Sequence, residues 1–262
     1  MTFKLTSDFP GRRSMRSAFV AVNAKSVLVL GLLVGGLCAF SAHADQFTIP
    51  AGFGPYQIGS GGEFTMIPND AGAVALLSSA GWSPLVRNYV AAGSFQTFCV
   101  ERNEYIAPNS TYDVTLNNIT VFSGMPLTVG AAYLYQQFAT GQLNYNYLDT
   151  PAGTRTGDVT VGGNFQDAYY LQQAIWHYMG DYPVLVPGNP YEVLVNGLFG
   201  AAGALVPDNG AHGVAVLNLW APGQPHDPAH AYQDVLVLVP EPSTVALASL
   251  GAAALLAFRR KK

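Results

Sequence analysis

Apolar and polar positions along this chain follow two different periods. Alternation with period two marks strands at Phe47–Ile49, Phe64–Ile67, Ser94–Val100, Gly213–Trp220 and Tyr232–Val239. The clearest is Thr111–Phe122, where Tyr112, Val114 and Leu116 share a face and Asn117-Asn118 makes a turn or bulge. Asp70–Ala80 is Ala-rich and fits either a helix or a buried strand. Spacing near 3.6 predicts helices over Ala131–Thr140, ended by Gly141, and over Asp167–Met179, stopped by Gly180. Pro190–Ala202 reads as a third helix, and the Gly-, Thr- and Pro-bearing stretch Asp149–Gly163 as a loop. Strand runs interrupted by a helical block predict an α+β class: a β-rich sandwich or barrel-like domain with an inserted helical block.

The ends follow neither pattern. A basic region (Arg12, Arg13, Arg16, Lys25) precedes the apolar run Val27–Phe40 and the small-residue site Ala42-His43-Ala44. That order predicts a secretory signal over 1–44, with a signal helix, cut by signal peptidase. At the other end Val239-Pro-Glu-Pro-Ser-Thr244 leads into apolar Val245–Phe258 and then Arg259, Arg260, Lys261 and Lys262. The prolines break any preceding element. A 14-residue apolar run covers ~21 Å as a helix, short of a ~30 Å hydrocarbon core. The terminal cations would hold that end in the cytoplasm. A marginal, transient transmembrane helix is expected, with domain bounds of 1–44, 45–238 and 239–262.

Pro240, Glu241 and Pro242, followed by helix and basic tail, resemble the PEP-CTERM sorting signal of Gram-negative bacteria. The resemblance implies processing by an exosortase-type transpeptidase and delivery to the cell surface or exopolysaccharide matrix. It specifies an address and no activity.

Charge is unevenly placed. Between Asp45 and Glu241 the only cations are Arg87, Arg102 and Arg155, against 15 acidic residues, a net charge of −12 with no lysine. Such a surface repels nucleic acid and anionic lipid. About 197 residues suffice for one domain with a real core.

Past the leader, which contains Cys38, the single cysteine is Cys99 in Phe95-Gln-Thr-Phe-Cys-Val-Glu101. It cannot form an internal disulfide in an exported chain, so it is a buried hydrophobe, a free thiol or part of another covalent bond. On the Asp167–Met179 helix, Ala168, Gln172, Ile175, Trp176 and Met179 form one stripe, apolar except for Gln172. Gln173 falls with Tyr169 and His177 on a more polar face. A core-facing amide needs partners. Attack by a nearby thiol, with loss of ammonia, would convert it to a thioester, kept dry by Phe95, Phe98 and Trp176.

Phe98-Cys99-Val100-Glu101 with Gln172-Gln173-Ala174-Ile175-Trp176 resembles the Cys–Gln thioester domains of bacterial surface adhesins. The resemblance assigns Cys99 as thiol and Gln172 as acyl donor. Phe98, Glu101, Ala174, Ile175 and Trp176 are then the surroundings, in a core of about 95–180. Leu171 stands where that family has threonine. The implied chemistry is covalent attachment to amines of a cell-surface or matrix polymer or protein. A domain without lysine offers no side-chain amine to its own acyl group.

The alternative is a structural biofilm or exopolysaccharide protein with an inert, buried Cys99. A cysteine protease built on Cys99 with His177 or His212 lacks any supporting signature. His226, Asp227 and His230 fall in a Pro-rich loop, and Glu101 with Glu104 reads as a calcium pair or a solvated strand end. The expectation is a non-enzymatic protein without metal or cofactor.

Overall fold

The computed structural model divides the chain at His43–Ala44 into two units. It describes residues 44–52, 54, 56, 61–78, 80–147, 160–161, 164–182 and 184–239. The signal helix, the transmembrane helix and the basic tail expected from sequence lie outside these residues. Among the described residues no helix is long and apolar enough to cross a membrane.

The described residues form a mixed α/β fold with four α-helices and a nearly closed six-stranded antiparallel sheet, ordered β3-β2-β1-β4-β7-β8. The strands are β1 (Asp45–Ile49), β2 (Phe64–Pro68), β3 (Phe95–Thr97), β4 (Ser110–Asn117), β7 (Val214–Trp220) and β8 (Val235–Leu238). A separate hairpin pairs β5 (Thr160–Val161) with β6 (Asn164–Phe165). The helices are α1 (Ala71–Leu77), α2 (Val129–Ala139), α3 (Gln166–Tyr178) and α4 (Pro190–Ala204).

Side-chain alternation sorts the core into two layers. On β8, Val235 and Val237 join Phe47, Ile49, Met66, Phe95, Tyr112, Leu217 and Leu219 in one buried cluster. Leu236 and Leu238 face the opposite way, into a larger cluster with Phe98, Val100 and residues of α2, α3 and α4. Successive strand residues point to opposite faces, so a strand covered on both sides reads as an unbroken apolar run, as Val-Leu-Val-Leu does here.

Polar side chains cap the starts of α1, α2 and α4. Asp70 Oδ1 accepts from Ala73 N–H at 2.8 Å to open α1. Thr128 caps α2, and Asn189 Oδ1 accepts from Tyr191 N–H at 3.0 Å ahead of Pro190 on α4. Gly141 (φ 73°) and Gly180 (φ 82°) follow α2 and α3 in the left-handed region that ends helices.

The sheet closes through the residues after β3. Val100 N–H donates to Asp234 O at 3.1 Å and Leu236 N–H to Phe98 O at 3.2 Å, flanking a Cys99–Val235 bridge. The chain therefore pairs with β2 as far as Thr97 and with β8 from Phe98 onward. That transfer from one neighbour to another positions Cys99.

Candidate functional site

Phe64 pairs with Thr97, Thr65 with Gln96 and Met66 with Phe95. Carried two residues further, that register sets Gly62 opposite Cys99. In an antiparallel pair the backbone groups of successive residues point alternately to the two neighbours. Phe98 O and Val100 N–H bond to β8, so Cys99 N–H and C=O point the other way, toward Gly62. The ladder is split there, and Gln172 from α3 fills the gap.

Gln172 Oε1 accepts from Cys99 N–H at 3.3 Å and from Gly62 N–H at 3.2 Å. Its Nε2 donates to Cys99 O at 2.8 Å. Three of the four hydrogen-bonding positions of this amide are filled, which is what burial of a glutamine requires. Gln172 and Cys99 are both fully buried. The stripe read from sequence is buried throughout: Ala168, Gln172, Ile175, Trp176 and Met179.

The surroundings divide. Trp176 and Phe64 pack with Cys99 in one small cluster, and the buried Trp176 indole N–H has no acceptor among the described residues. Phe98, Ala174, Ile175 and Leu171 sit in the helical cluster instead. Phe95 belongs to the cluster on the other side of the sheet, against Phe47. The side chain flanking the thiol from the strands is thus Phe64, where sequence suggested Phe95 and Phe98. Gln173 is also buried.

Gly61 and Gly62 carry the approach of β2 to this site. A Cβ on Gly61 would lie 2.8 Å from Trp176 Cη2 and 2.9 Å from Gln172 Cγ. Gly62 has φ 112°, open to glycine and strained for side-chain-bearing residues. The Gly-Ser-Gly-Gly run at 59–62, immediately before a strand, is the available signal for this close approach.

Chemically, two N–H groups converge on one carbonyl oxygen. Donors so placed stabilise negative charge developing on that oxygen when a nucleophile adds to its carbon. Burial pushes the Cys99 thiol well above its ordinary pKa, so sulfur keeps its proton here.

Glu101 lies two residues beyond Cys99 and is buried; Ser123 N–H donates to its Oε1 at 2.8 Å. The histidines are engaged elsewhere. His177 Nδ1 meets Tyr182 O at 2.9 Å, His212 pairs with Asp208, and His230 Nδ1 lies 2.9 Å from Asp227 Oδ2. Among the described residues no group of three His, Cys, Asp or Glu side chains is placed to hold a metal ion.

The PEP-CTERM protein-sorting motif matches residues 238–261, which include Pro240, Glu241, Pro242 and the tail through Lys261. No curated protein and no solved structure matches the chain. The motif supports export sorted by an exosortase system, with the exosortase as processing partner and the cell envelope or surface as destination.

Proposed function

We propose that this exported protein attaches covalently to amines of a surface or matrix partner through an internal thioester between Cys99 and Gln172, and that it is not an enzyme. The observation that carries this reading is the Gln172 amide seated in the split ladder, with Cys99 and Gly62 N–H groups on its oxygen. In the forming step Cys99 Sγ adds to Gln172 Cδ and the two N–H groups take up the charge on Oε1. The C–Nε2 bond then breaks, the thiol proton passes to nitrogen, and ammonia leaves. A partner amine later attacks the same carbon, displaces sulfur and regenerates the thiol, leaving an amide.

A second reading, an inert structural Cys99 in a matrix protein, is favoured by the raised thiol pKa and by the satisfied hydrogen bonding of Gln172. Intact mass decides between them. The thioester requires a deficit of one ammonia, followed by gain of methylamine on treatment with that amine, and loss of both effects in Cys99→Ala. Full mass, with a thiol that alkylates only after unfolding, would establish the inert core.

A further inference from the structure

Helix α4 turns an apolar face to solvent. Up to its kink at Gly200, Val193, Leu194, Gly197 and Leu198 recur at i, i+1, i+4 and i+5, which puts them on one side. Val193 is 68% exposed and Leu198 55%. The other side is taken up by the core: Tyr191 and Val195 are buried, and Phe199 meets the Tyr133 ring at 5.3 Å. A helix face left to water ordinarily carries charge. Between Tyr182 and Gly213 the only Asp, Glu, Lys or Arg residues are Glu192 and Asp208, and both are buried. Val186 N–H donates to Glu192 Oε2 at 3.0 Å, which holds exposed Val184 and Leu185 beside the start of α4. Past the kink, Leu205 and Val206 are exposed as well. An uncharged apolar patch of this extent, in a domain of net charge −12, marks a contact surface.

The described chain leaves the fold at the foot of this patch. Val239 N–H donates to Gly213 O at 2.8 Å. Val239 also borders a cavity of about 250 Å³ with Asp208, Asn209 and Gly210, which follow Val206 and Pro207 in sequence. Pro240–Thr244 is five residues, a reach of at most about 17 Å. The apolar run Val245–Phe258 and its four terminal cations come next. We propose that the exposed face of α4 rests on the lipid bilayer that this run enters, and holds the domain against the membrane until the tail is cut. Valine and leucine side chains gain by leaving water. A face without exposed carboxylates escapes the repulsion that the rest of the domain exerts on anionic headgroups. Interfacial helices usually add cations that bind those headgroups. The exposed face of α4 has none, and the short tether replaces them by raising its effective concentration at the bilayer. A second copy enjoys no such concentration, so lipid is the favoured occupant. The contact involves neither Cys99 nor Gln172, and it stands or falls apart from the attachment chemistry.

The test is fluorescence quenching of the full-length chain reconstituted in phosphatidylcholine vesicles. A nitrobenzoxadiazole label is placed on Leu198→Cys and, for comparison, on Val74→Cys. Both are made in a Cys38→Ser background, with Cys99 protected by burial. Val74 is 51% exposed on α1, which packs into the other layer of the core. Doxyl-labelled lipid should quench the label at position 198 at least about threefold more than the label at 74. Val193→Asp, an exposed change on the same helix face, should cut the quenching at 198 about twofold or more. Equal quenching at the two positions, or quenching at 198 unchanged by Val193→Asp, would overturn the proposal. So would a label at 198 that is shielded from water yet untouched by doxyl lipid, because a second copy or another segment would then cover the face.

Discussion

At the scale of single residues, the site depends on side chains that leave each other no room. Gly61 is the sharpest case, since any Cβ there enters Trp176 and Gln172. Both are held in place, the tryptophan by packing and the amide by three hydrogen bonds, so neither can yield cheaply. Gly61→Ala should cost about 1–3 kcal/mol in urea unfolding and lower the occupancy of the proposed thioester by intact mass. Asp234 supplies a second residue-level prediction. It is buried, and burial, reinforced by the charge of Glu101, pushes its pKa from 3.8 up to about 7, against hydrogen bonds from Val121 N–H, Asn218 and Leu219. A raised acid favours the protonated fold, so its contribution is intact below pH about 4, falls through the interval up to about 7 and is lost above it. The loss is on the order of 4 kcal/mol. Glu192, also pushed up to about 7 by burial, acts in the same direction and is present in both proteins. Unfolding of Asp234→Asn against the parent between pH 4 and pH 8 therefore isolates the Asp234 share, and a parallel pair of curves would refute it. The inward aim of Gln172 was legible because a helix stripe of five positions leaves one polar member in view. Gly61 and Gly62 were legible only as part of a Gly-Ser-Gly-Gly run, which marks a close approach without saying that Trp176 and Gln172 make it.

At the scale of elements, helix bounds read from periodicity fall close to those observed. Expected Asp167–Met179 and Ala131–Thr140 correspond to observed Gln166–Tyr178 and Val129–Ala139, since glycine stops and apolar stripes are local signals. The Asp70–Ala80 stretch resolves as helix α1, shorter than expected. The strand expected over Ser94–Val100 is regular only over Phe95–Thr97. Its alternation continues to Val100, but its neighbour changes from β2 to β8, which no local pattern encodes. The β5–β6 hairpin, within or beside the expected loop, has strands of two residues, too short for a period to register. The helical block has its own close contact, where a Cβ on Gly130 of α2 would sit 2.6 Å from Tyr178 Cγ at the end of α3. Thr128 Oγ1 donates to Tyr178 O at 3.0 Å across the same junction. Gly130→Ala should therefore push α3 outward despite alanine's better helix propensity. A destabilisation of about 1–3 kcal/mol is expected in chemical denaturation; a stabilised variant would show that the junction is loose.

At the scale of the whole molecule, the address and the candidate site meet on one strand. β8 pairs with β7 from Val214–Leu238 to Leu217–Val235 and, on its other side, with the residues around Cys99. The folded sheet continues to Val239, whose N–H donates to Gly213 O at 2.8 Å, and the sorting motif begins at residue 238. The described pairing thus runs through Val239, and the next residue in sequence, Pro240, has no N–H to donate. Cutting within Pro240–Pro242 is expected to leave every one of these bonds in place. A chain ended after Val239 should keep the parent's melting midpoint and a thiol, free or acylated, that resists alkylation in native buffer. A chain ended after Asp234 loses Val235–Leu238, four buried side chains whose burial is worth roughly 6–12 kcal/mol, as much as a domain's whole stability. It should fail to melt cooperatively and should expose Cys99 to alkylation at once. If that shorter chain instead melts like the parent with a protected thiol, β8 does not close the sheet over Cys99. The enclosure that the proposed attachment chemistry needs would then have to come from the helices alone.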